Sequence, residues 1–351
     1  MTHIPKPRIR HPSLRINAVG LTRRDYEGSM STLCAGCGHD SITAAIIEAA
    51  WELDLEPRTV AKLSGIGCSS KTPTYFLGTA HGFNAVHGRM PSIGTGAQAT
   101  NPDLTYIGVS GDGDSLAIGL GQLCHVIRRN VDMVYILENN GVYGLTKGQF
   151  SASADVGSRA KRGQVNRQQP IDPALLALTL GATFVARSFS GDKAQLVPIL
   201  KAGIRHRGFA LVDVISPCVA FNDHEGSTKS YRYTRENLEE AVDADFTLPT
   251  AGITASYEPG SVRAVTLPDG SVVHFRKVPD EFDPGNRDRV YAYLRERQGA
   301  GEIPTGLLYL DPDAPDHRDT LETVSTSLVD LPFEELCPGR EALERLLTDF
   351  R

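Results

Sequence analysis

The sequence has little of what membrane proteins and nucleic-acid-binding proteins need. No apolar run approaches the roughly 18 residues that cross a bilayer, and the first residues lack the charged-then-apolar pattern of a secretory signal. Lysine and arginine together (36) are outnumbered by aspartate and glutamate (42), which gives a net charge of -6. Because phosphate binding needs a basic face, we expect a cytoplasmic protein that binds neither membranes nor nucleic acids.

Cysteine is also scarce, with six residues in 351. Without a secretory signal, these cysteines favour metal ligation or core packing over disulfides. Residues 1–30 are locally basic, but Pro5, Pro7 and Pro12 disrupt the amphipathic helix that an organelle presequence would need. We therefore expect an N-terminal arm that docks on the rest of the chain or on a partner.

What the sequence does contain is a regular alternation of apolar runs and helical patterns between about residues 40 and 216. Short runs rich in Val, Ile and Leu predict strands at Thr59–Gly65, Leu104–Ser110, Asp132–Leu137, Thr183–Arg187 and Phe209–Ile215. Helical patterns lie between them at Asp40–Leu53, Ser115–Arg129, Asp172–Leu180 and Asp192–His206. Asp114 or Ser115, Asp172 and Asp192 are the expected N-caps of the last three. This order predicts an α/β fold: a parallel sheet with helices on both faces.

Three regions follow from the change of character along the chain: an arm over 1–30, an α/β domain over 31–225, and a C-terminal extension over 226–351 that covers the domain. Within the domain, Tyr143–Pro170 is a long polar loop, which is typical of functional segments. In the extension, Glu236–Val242 favours a helix, and Val265–Val278 predicts a hairpin around Asp269 and Gly270.

Two turns at the ends of neighbouring strands carry the strongest chemical signal. Gly111–Asp114 closes one predicted strand, and Glu138–Gly141 closes the next. A Gly-Asp-Gly turn by itself is common before a capped helix. Paired with a second polar turn 28 residues beyond Asp112, it predicts a diphosphate site in which Asp112 and Asn140 supply oxygen ligands to Mg²⁺.

Four cysteines fall at the same predicted edge of the sheet, where parallel strands end. Cys34 and Cys37 form a Cys-x-x-Cys pair, Cys68 follows the first strand, and Cys218 follows the last. Such a set is compatible with an iron–sulfur cluster, with zinc, or with unrelated core residues, and spacing alone leaves all three open. Cys124 lies in an apolar helical pattern typical of packing, and Cys337 has no evident partner.

The motifs taken in order resemble the beta subunit of 2-oxoacid:ferredoxin oxidoreductases, most closely the 2-oxoglutarate-using members. The resemblance covers about residues 30–225 and rests on Cys-x-x-Cys-Gly-His, Gly-Cys-Ser-Ser, His-Gly-Arg, Gly-Asp-Gly-Asp, Asn-Asn-x-Val-Tyr-Gly-Leu-Thr-Lys-Gly-Gln and Ser-Pro-Cys. It implies a thiamine diphosphate site of the diphosphate-binding type. Gly111, Gly113 and Asp114 would lie along the diphosphate, and Asp112, the side chain of Asn140 and the main-chain carbonyl of Val142 would bind Mg²⁺.

The same resemblance implies that Cys34, Cys37, Cys68 and Cys218 hold one [4Fe-4S] cluster. The implied reaction is the reversible oxidative decarboxylation of 2-oxoglutarate with coenzyme A, giving succinyl-CoA, carbon dioxide and reduced ferredoxin. Since the chain offers only one α/β domain, a separate alpha subunit is expected to hold the aminopyrimidine and coenzyme A, in an assembly of the (αβ)₂ type. A pyruvate-specific or broad 2-oxoacid-specific member is the alternative.

Substrate contacts are implied for three residues: His87 and Arg89 in the His-Gly-Arg turn, and Lys147 in the polar loop. By their own chemistry, an isolated His-Gly-Arg is more often a surface turn, and a loop lysine is more often solvated. Gln98 stands where many relatives have lysine, which leaves any cofactor contact at that position in doubt.

Two other classes of protein stay open at this point. The first is a non-redox thiamine-dependent decarboxylase subunit that keeps its cysteines for zinc or packing. The second is a non-catalytic electron-transfer subunit that merely carries a cluster.

Overall fold

The computed structural model describes residues 11–160, 163–222, 254–267, 272–348 and 350. The predicted helix Glu236–Val242 and the turn around Asp269 and Gly270 lie outside these residues. Within the described part, the strands are β1 Val60–Ser64, β2 His81–Asn84, β3 Thr105–Gly111, β4 Met133–Asn139, β5 Val142–Tyr143, β6 Gln149–Phe150, β7 Phe184–Phe189, β8 Phe209–Ile215, β9 Val262–Thr266, β10 Val272–Lys277 and β11 Glu302–Leu310.

One mixed sheet contains every one of these strands except β5 and β6, which pair only with each other, in the order β2-β1-β3-β4-β8-β7-β11-β10-β9. From β2 to β7 all neighbours are parallel. β11 runs antiparallel to β7, β10 is parallel to β11, and β9 is antiparallel to β10. The predicted parallel sheet is thus confirmed, with an antiparallel addition at one side.

The four helices predicted within the α/β domain are present, although the one predicted at Ser115–Arg129 starts later, at Leu120. The helices of the described residues up to residue 299 are α1 Gly38–Glu52, α2 Thr72–Tyr75, α3 Met90–Thr100, α4 Leu120–Arg128, α5 Pro173–Thr179, α6 Lys193–Arg205 and α7 Arg287–Gly299. Asp172 caps α5 by accepting from the backbone N–H groups of Ala174 and Leu175, and Asp192 caps α6 by accepting from that of Gln195. Short helices His317–Leu321 and Phe333–Leu336 and the helix Gly339–Thr348 follow at the C-terminal end.

A helical cap expected at Asp114 or Ser115 is wrong. A π-helical turn, Gly113–Ile118, starts directly after Asp112 with no side-chain cap, and α4 follows it. The carboxylate of Asp114 is instead used elsewhere, as described below. π-Helical turns are rare and frequent at functional sites, and this one lies at the end of β3.

Two apolar clusters cover the two faces of the sheet. On β4, Val134 and Ile136 face one cluster, whereas Met133, Tyr135 and Leu137 face the other, as the alternation of a strand requires. Since every residue of β4 is buried, the strand reads as a continuous apolar run that ends in polar residues. Burial of both faces fixes the register of β4, so the polar residues at its end have a fixed place.

The C-terminal region continues the sheet where the sequence predicted a covering layer. The predicted hairpin appears as antiparallel β9 and β10, and β11 joins them to β7. Val290 and Leu294 of α7, with Leu308 of β11, pack in the same cluster as Tyr135. The boundary predicted near residue 225 therefore falls within one continuous sheet, and the division into three regions stays a prediction.

Among the helices in the described ranges, none is long and apolar enough to cross a bilayer.

Candidate functional site

A pocket opens at the edge of the sheet where β3 and β4 end. It has a volume of about 520 Å³, including the part open to solvent. Its wall contains seven of the predicted site residues together with one predicted cluster cysteine: His87, Gly111, Asp112, Gly113, Asp114, Asn140, Val142 and Cys68. Polar segments distant in sequence thus meet at one place, as the parallel order of β3 and β4 requires.

Asp112 is the buried acid of this pocket. Its side chain is 1% exposed, and Oδ2 accepts hydrogen bonds from the hydroxyls of Ser151 and Ser153, the latter at 2.6 Å. Burial raises the pKa of Asp112, and the two serine hydroxyls oppose that rise. A buried carboxylate whose bonds come from neutral donors is a favourable position for a hard cation.

Asn140 and Val142 line the same pocket as Asp112. The backbone N–H of Asn140 is 3.5 Å from Asp112 Oδ1, and Asn140 Oδ1 accepts from the backbone N–H of Val142 at 3.0 Å. The carboxylate of Asp112, the amide of Asn140 and the turn that carries Val142 therefore belong to the wall of one pocket. This donor set is the kind that Mg²⁺ prefers.

Glycine at 111 and 113 allows neighbouring side chains to pack directly against the backbone of the pocket. A Cβ at Gly113 would lie 2.6 Å from Cε1 of Tyr143, and one at Gly111 would lie 2.9 Å from Ser69 Oγ. Any larger residue at Gly113 would push the Tyr143 ring, whose hydroxyl donates to the Gly113 carbonyl at 3.0 Å. Glycine at these two positions therefore leaves room for the Tyr143 ring and the Ser69 hydroxyl beside the backbone that lines the pocket.

Asp114 holds the turn that carries His87. Its Oδ1 accepts from the backbone N–H of Gly88 at 2.8 Å, and its Oδ2 accepts from Ser110 Oγ at 2.9 Å. Gly88 itself has φ +68° and packs against the backbone of Gly119. The Asp114 carboxylate is therefore committed to the protein, so only its backbone is available to a diphosphate.

Arg89 and Lys147, two of the residues predicted to contact substrate, do not line the pocket. Arg89 is exposed and precedes α3, and Lys147 is exposed in the turn between β5 and β6 with φ +78°. Their neighbours do reach the pocket: His87 on one side, and Leu145 and Thr146 on the other. Both basic side chains thus stand at the rim, where they face solvent in this chain taken alone.

The cysteine-bearing segments come together beside this pocket. Gly144 shows this most directly, since a Cβ there would lie 3.2 Å from Cys68 Sγ and 3.7 Å from Cys218 Sγ. Cys34 and Cys37 share a turn, because the N–H of Cys37 donates to the Cys34 carbonyl at 3.0 Å. The Gly38 N–H donates to the Pro217 carbonyl at 3.4 Å, which brings that turn to the Cys218 segment.

Electrostatic coupling supports the same grouping. Burial raises the pKa of Cys37, and the charges of Glu138 and Cys218 raise it further. Burial also raises the pKa of Cys68, and Cys34 and Glu138 add to the rise. Uncharged thiols beside one another are what this environment favours, and a bound metal would reverse that preference.

Across the described residues, no three His, Cys, Asp or Glu side chains lie close enough to bind a single metal ion. In an iron–sulfur cluster each thiolate binds a different iron atom, so the sulfurs stand further apart. The thiols of Cys68 and Cys218 both lie within 4 Å of the position that a Cβ at Gly144 would take, so these two predicted ligands face the same point beside the pocket.

A buried histidine and a buried glutamate lie behind the cysteines. Burial lowers the pKa of His39 to about 4 and raises the pKa of Glu138 well above its usual range. The sequence marked His39 only as part of a motif and did not mark Glu138 as a site residue. Ser69, Ser151 and Ser153 were also missed, since isolated serines give no sequence signal.

Comparison with known proteins gives the chain a family. A family model described as the C-terminal TPP-binding domain of thiamine pyrophosphate enzymes matches residues 65–214. A 2-oxoacid:ferredoxin oxidoreductase subunit beta from Sulfolobus is 34% identical over 313 residues, which cover 89% of this chain and 90% of the relative. The 2-oxoglutarate oxidoreductase subunit KorB of Mycobacterium tuberculosis is 42% identical over 239 residues, 66% of this chain and 62% of the relative.

A solved structure agrees with these relatives. The 2-oxoglutarate:ferredoxin oxidoreductase from Magnetococcus marinus, with 2-oxoglutarate, coenzyme A and succinyl-CoA bound, superposes with a TM-score of 0.67 at 30% identity. The match covers 86% of this chain and 89% of that one. The α/β fold, the oxygen-lined pocket and the similarity over most of the chain lead to one conclusion: this chain belongs to the beta-subunit family of the 2-oxoacid:ferredoxin oxidoreductases.

Proposed function

We propose that this chain is the beta subunit of a thiamine-diphosphate- and [4Fe-4S]-dependent 2-oxoglutarate:ferredoxin oxidoreductase. The observation that carries the proposal is the meeting of two groups of side chains at one edge of the sheet. Asp112 and Asn140 offer oxygen ligands there, and the thiols of Cys68 and Cys218 converge on Gly144 beside them. Few reactions need a diphosphate site and a cluster site in contact.

The residues at the pocket fit the proposed cofactors. Asp112, the Asn140 side chain and the Val142 carbonyl are proposed to hold Mg²⁺, and the backbone at Gly111, Gly113 and Asp114 is proposed to lie along the diphosphate. When bound, thiamine diphosphate supplies the decarboxylation chemistry and the cluster supplies the electron path. Cys34, Cys37, Cys68 and Cys218 are the proposed cluster ligands.

The protein's own part is to bind and orient. Asp112 and its two serine donors fix the cation, and the glycines let Tyr143 and Ser69 pack beside the backbone of the pocket. The Tyr143 hydroxyl donates to the Gly113 carbonyl, which fixes the tyrosine against this wall of the pocket. Asp114 holds the His87 turn in place, so that His87 faces the pocket.

The net reaction balances with coenzyme A as the second substrate. A 2-oxoacid loses carbon dioxide, its keto carbon becomes the acyl carbon of a thioester, and a pair of electrons passes to ferredoxin with release of a proton. The preference for 2-oxoglutarate over pyruvate is supported by relatives named as 2-oxoglutarate enzymes. His87, Arg89 and Lys147 are the basic groups that we propose to lie nearest the substrate, with Lys147 on its distal carboxylate.

A partner chain completes the site. The beta-subunit names of the relatives support an alpha subunit that holds the aminopyrimidine and coenzyme A, and we propose an (αβ)₂ assembly in the cytoplasm. The exposed positions of Arg89 and Lys147 at the pocket rim are consistent with a surface that a partner would cover.

The test is an anaerobic assay of the complex with its alpha subunit. We expect reduction of a viologen dye that requires both coenzyme A and a 2-oxoacid, and that is fastest with 2-oxoglutarate. A faster rate with pyruvate would reassign the substrate. A colourless complex that releases carbon dioxide from a 2-oxoacid without reducing the dye would favour the non-redox decarboxylase.

The role of Lys147 has its own test. Replacement by alanine is expected to raise the KM for 2-oxoglutarate while leaving the slower reaction with pyruvate unchanged, because pyruvate has no distal carboxylate. Unchanged 2-oxoglutarate kinetics would remove Lys147 from the substrate site.

A further inference from the structure

One buried carboxylate makes contact with the segments behind the cysteines. Glu138, next to last in β4, is fully buried. Thr72 Oγ1 lies 3.0 Å and 3.1 Å from its two carboxylate oxygens and donates to them. The same carboxylate lies 3.4 Å from Nδ1 of His39.

The partners of Glu138 belong to three cysteine segments. Thr72 begins α2, four residues after Cys68. His39 stands two residues after Cys37 in the first turn of α1, and its Nδ1 is 2.7 Å from Ser216 Oγ, two residues before Cys218. A single side chain at the end of β4 thus connects, directly or through one neighbour, to the segments of three thiols.

The connection is tightly packed. His39, Thr72 and Ser216 are all at most 2% exposed. A Cβ at Gly38 would lie 2.5 Å from Ser216 Oγ and 2.8 Å from Ser190 Oγ, so the α1 terminus approaches as closely as a glycine permits. The backbone N–H of Ser216 also donates to the Asn139 carbonyl at 2.7 Å, which ties the Cys218 segment to β4 itself.

For stability alone a carboxylate is a poor choice at this position. Burying an ionisable group among neutral donors is unfavourable, and an apolar side chain of similar volume is often tolerated better. A hydrogen-bonded shell around metal ligands, in contrast, is a general means of fixing their geometry.

We propose that Glu138 is a positioning residue for the iron–sulfur cluster. Through Thr72 it holds the Cys68 segment, and through His39 and Ser216 it holds the Cys37 and Cys218 segments. Because Asn140 lies two residues after Glu138, directly beyond the end of β4, Glu138 also sets the place of the cluster relative to the proposed metal and diphosphate. This inference rests on the proposed function, since it assumes that the four cysteines hold a cluster.

The experiment compares three variants of the full chain in complex with its alpha subunit, prepared without oxygen. Glu138→Ala removes the contacts, and Glu138→Gln keeps an oxygen that accepts from Thr72. Val134→Ala, on the same strand and in the apolar cluster, is the control for a core cavity that touches no cysteine segment. Iron and acid-labile sulfide per chain, the rate of iron loss to a chelator, and the electron paramagnetic resonance spectrum of the reduced cluster are measured.

We expect Glu138→Ala to lose iron about 10-fold faster than the wild type, the lower end of what outer-shell substitutions cost metal sites, and to give an altered spectrum. Glu138→Gln is expected to restore iron retention and the spectrum, and Val134→Ala to match the wild type in both. Iron loss and a spectrum in Glu138→Ala equal to those of the wild type would overturn the positioning role alone. A wild-type complex that contains no iron and sulfide would overturn the proposed function as well.

Discussion

Arg187 Nε lies 2.7 Å from Asp213 Oδ2 in the interior of the sheet, and this ion pair is connected to the pocket. Asn139 Nδ2 donates to the other oxygen of Asp213 at 3.0 Å. Asn139 Oδ1 is 2.9 Å from Ser153 Oγ, which in turn lies 2.6 Å from Asp112 Oδ2. A buried cation on β7 therefore supports the proposed Mg²⁺ ligand through a continuous chain of polar groups.

Replacing Arg187 with methionine is expected to destabilise the fold strongly. Arg187 also pairs with Asp172 at 2.6 Å, so its loss leaves two carboxylates without their cation, at a cost of about 3–5 kcal/mol. Urea unfolding of the full chain measures this change. Lys201→Met is the control, because the exposed Lys201–Glu52 pair should contribute less than about 1 kcal/mol. Equal losses of unfolding free energy in the two variants would contradict the prediction that the buried ion pair contributes more than the exposed one.

Replacing Asp112 with asparagine is expected to stabilise the ligand-free chain and to weaken the binding of the cofactor. The pKa of Asp112 is raised by burial, so at neutral pH the charged form opposes folding of the ligand-free chain, and the variant should be more stable. The affinity of the complex for thiamine diphosphate and Mg²⁺ should fall by more than about 100-fold. A loss of about 100-fold is already the largest expected when a residue outside the direct ligands is changed. Calorimetric titration of the complex measures the binding.

Asp132 provides the matched control for this prediction. It stands just before β4, at the strand's other end, accepts from the Gly208 N–H at 3.2 Å, and burial raises its pKa as well. Asp132→Asn should therefore leave cofactor binding unchanged. Weakened binding in both variants would indicate a general loss of structure.

Replacing Gly144 with alanine is expected to reduce cluster content without unfolding the chain. The new Cβ would lie 3.2 Å from Cys68 Sγ, closer than a methyl group and a sulfur normally approach, so the thiol must move. Iron and sulfide analysis of the complex measures the outcome. Gly121→Ala is the control, since a Cβ there meets nothing within 4 Å and alanine favours a helix by up to about 1 kcal/mol. A full cluster in Gly144→Ala would show that the Cys68 thiol can shift without effect.

The stability of the chain is expected to rise between pH 8 and pH 10.5 because of Lys62. Its Nζ donates to the Pro73 and Phe76 carbonyls, and burial lowers its pKa from 10.5 to about 8. In this window the unfolded chain binds more protons than the folded one, so the free energy of unfolding increases with pH, by up to about 3 kcal/mol. Below pH 8 both forms are protonated and the contribution is constant.

Lys62→Met should remove this rise. Urea unfolding at several pH values gives the free energy of unfolding of the wild type and of the variant. Subtracting one from the other removes the contribution of the other groups that titrate in the same range. Lys201→Met changes an exposed lysine, so its free energy of unfolding should rise with pH as steeply as that of the wild type. If the free energy of unfolding changed with pH in the same way in the wild type and in Lys62→Met, the prediction would be wrong.

Elements with a strong local signal could be predicted from the sequence. Five runs of Val, Ile and Leu became β1, β3, β4, β7 and β8, and Asp172 and Asp192 cap the helices expected of them. β2 was missed because its residues, His81–Asn84, are exposed and show no apolar alternation. β11 was missed because Pro304 and Gly306 interrupt it, and only its pairing with β7 and β10 makes it a strand.

By itself, the sequence determined which residues stand at strand ends, because the period of a strand and the chemistry of Gly, Asp and Asn act over a few neighbours. It also determined the family, through motifs that keep their order along the chain. Only the tertiary structure decided which distant segments touch: Gly144 beside the thiols of Cys68 and Cys218, Asp114 on the Gly88 backbone, and Glu138 behind the cysteine segments. Such contacts depend on the order of strands in the sheet and on the burial of both of its faces, and no local pattern encodes either.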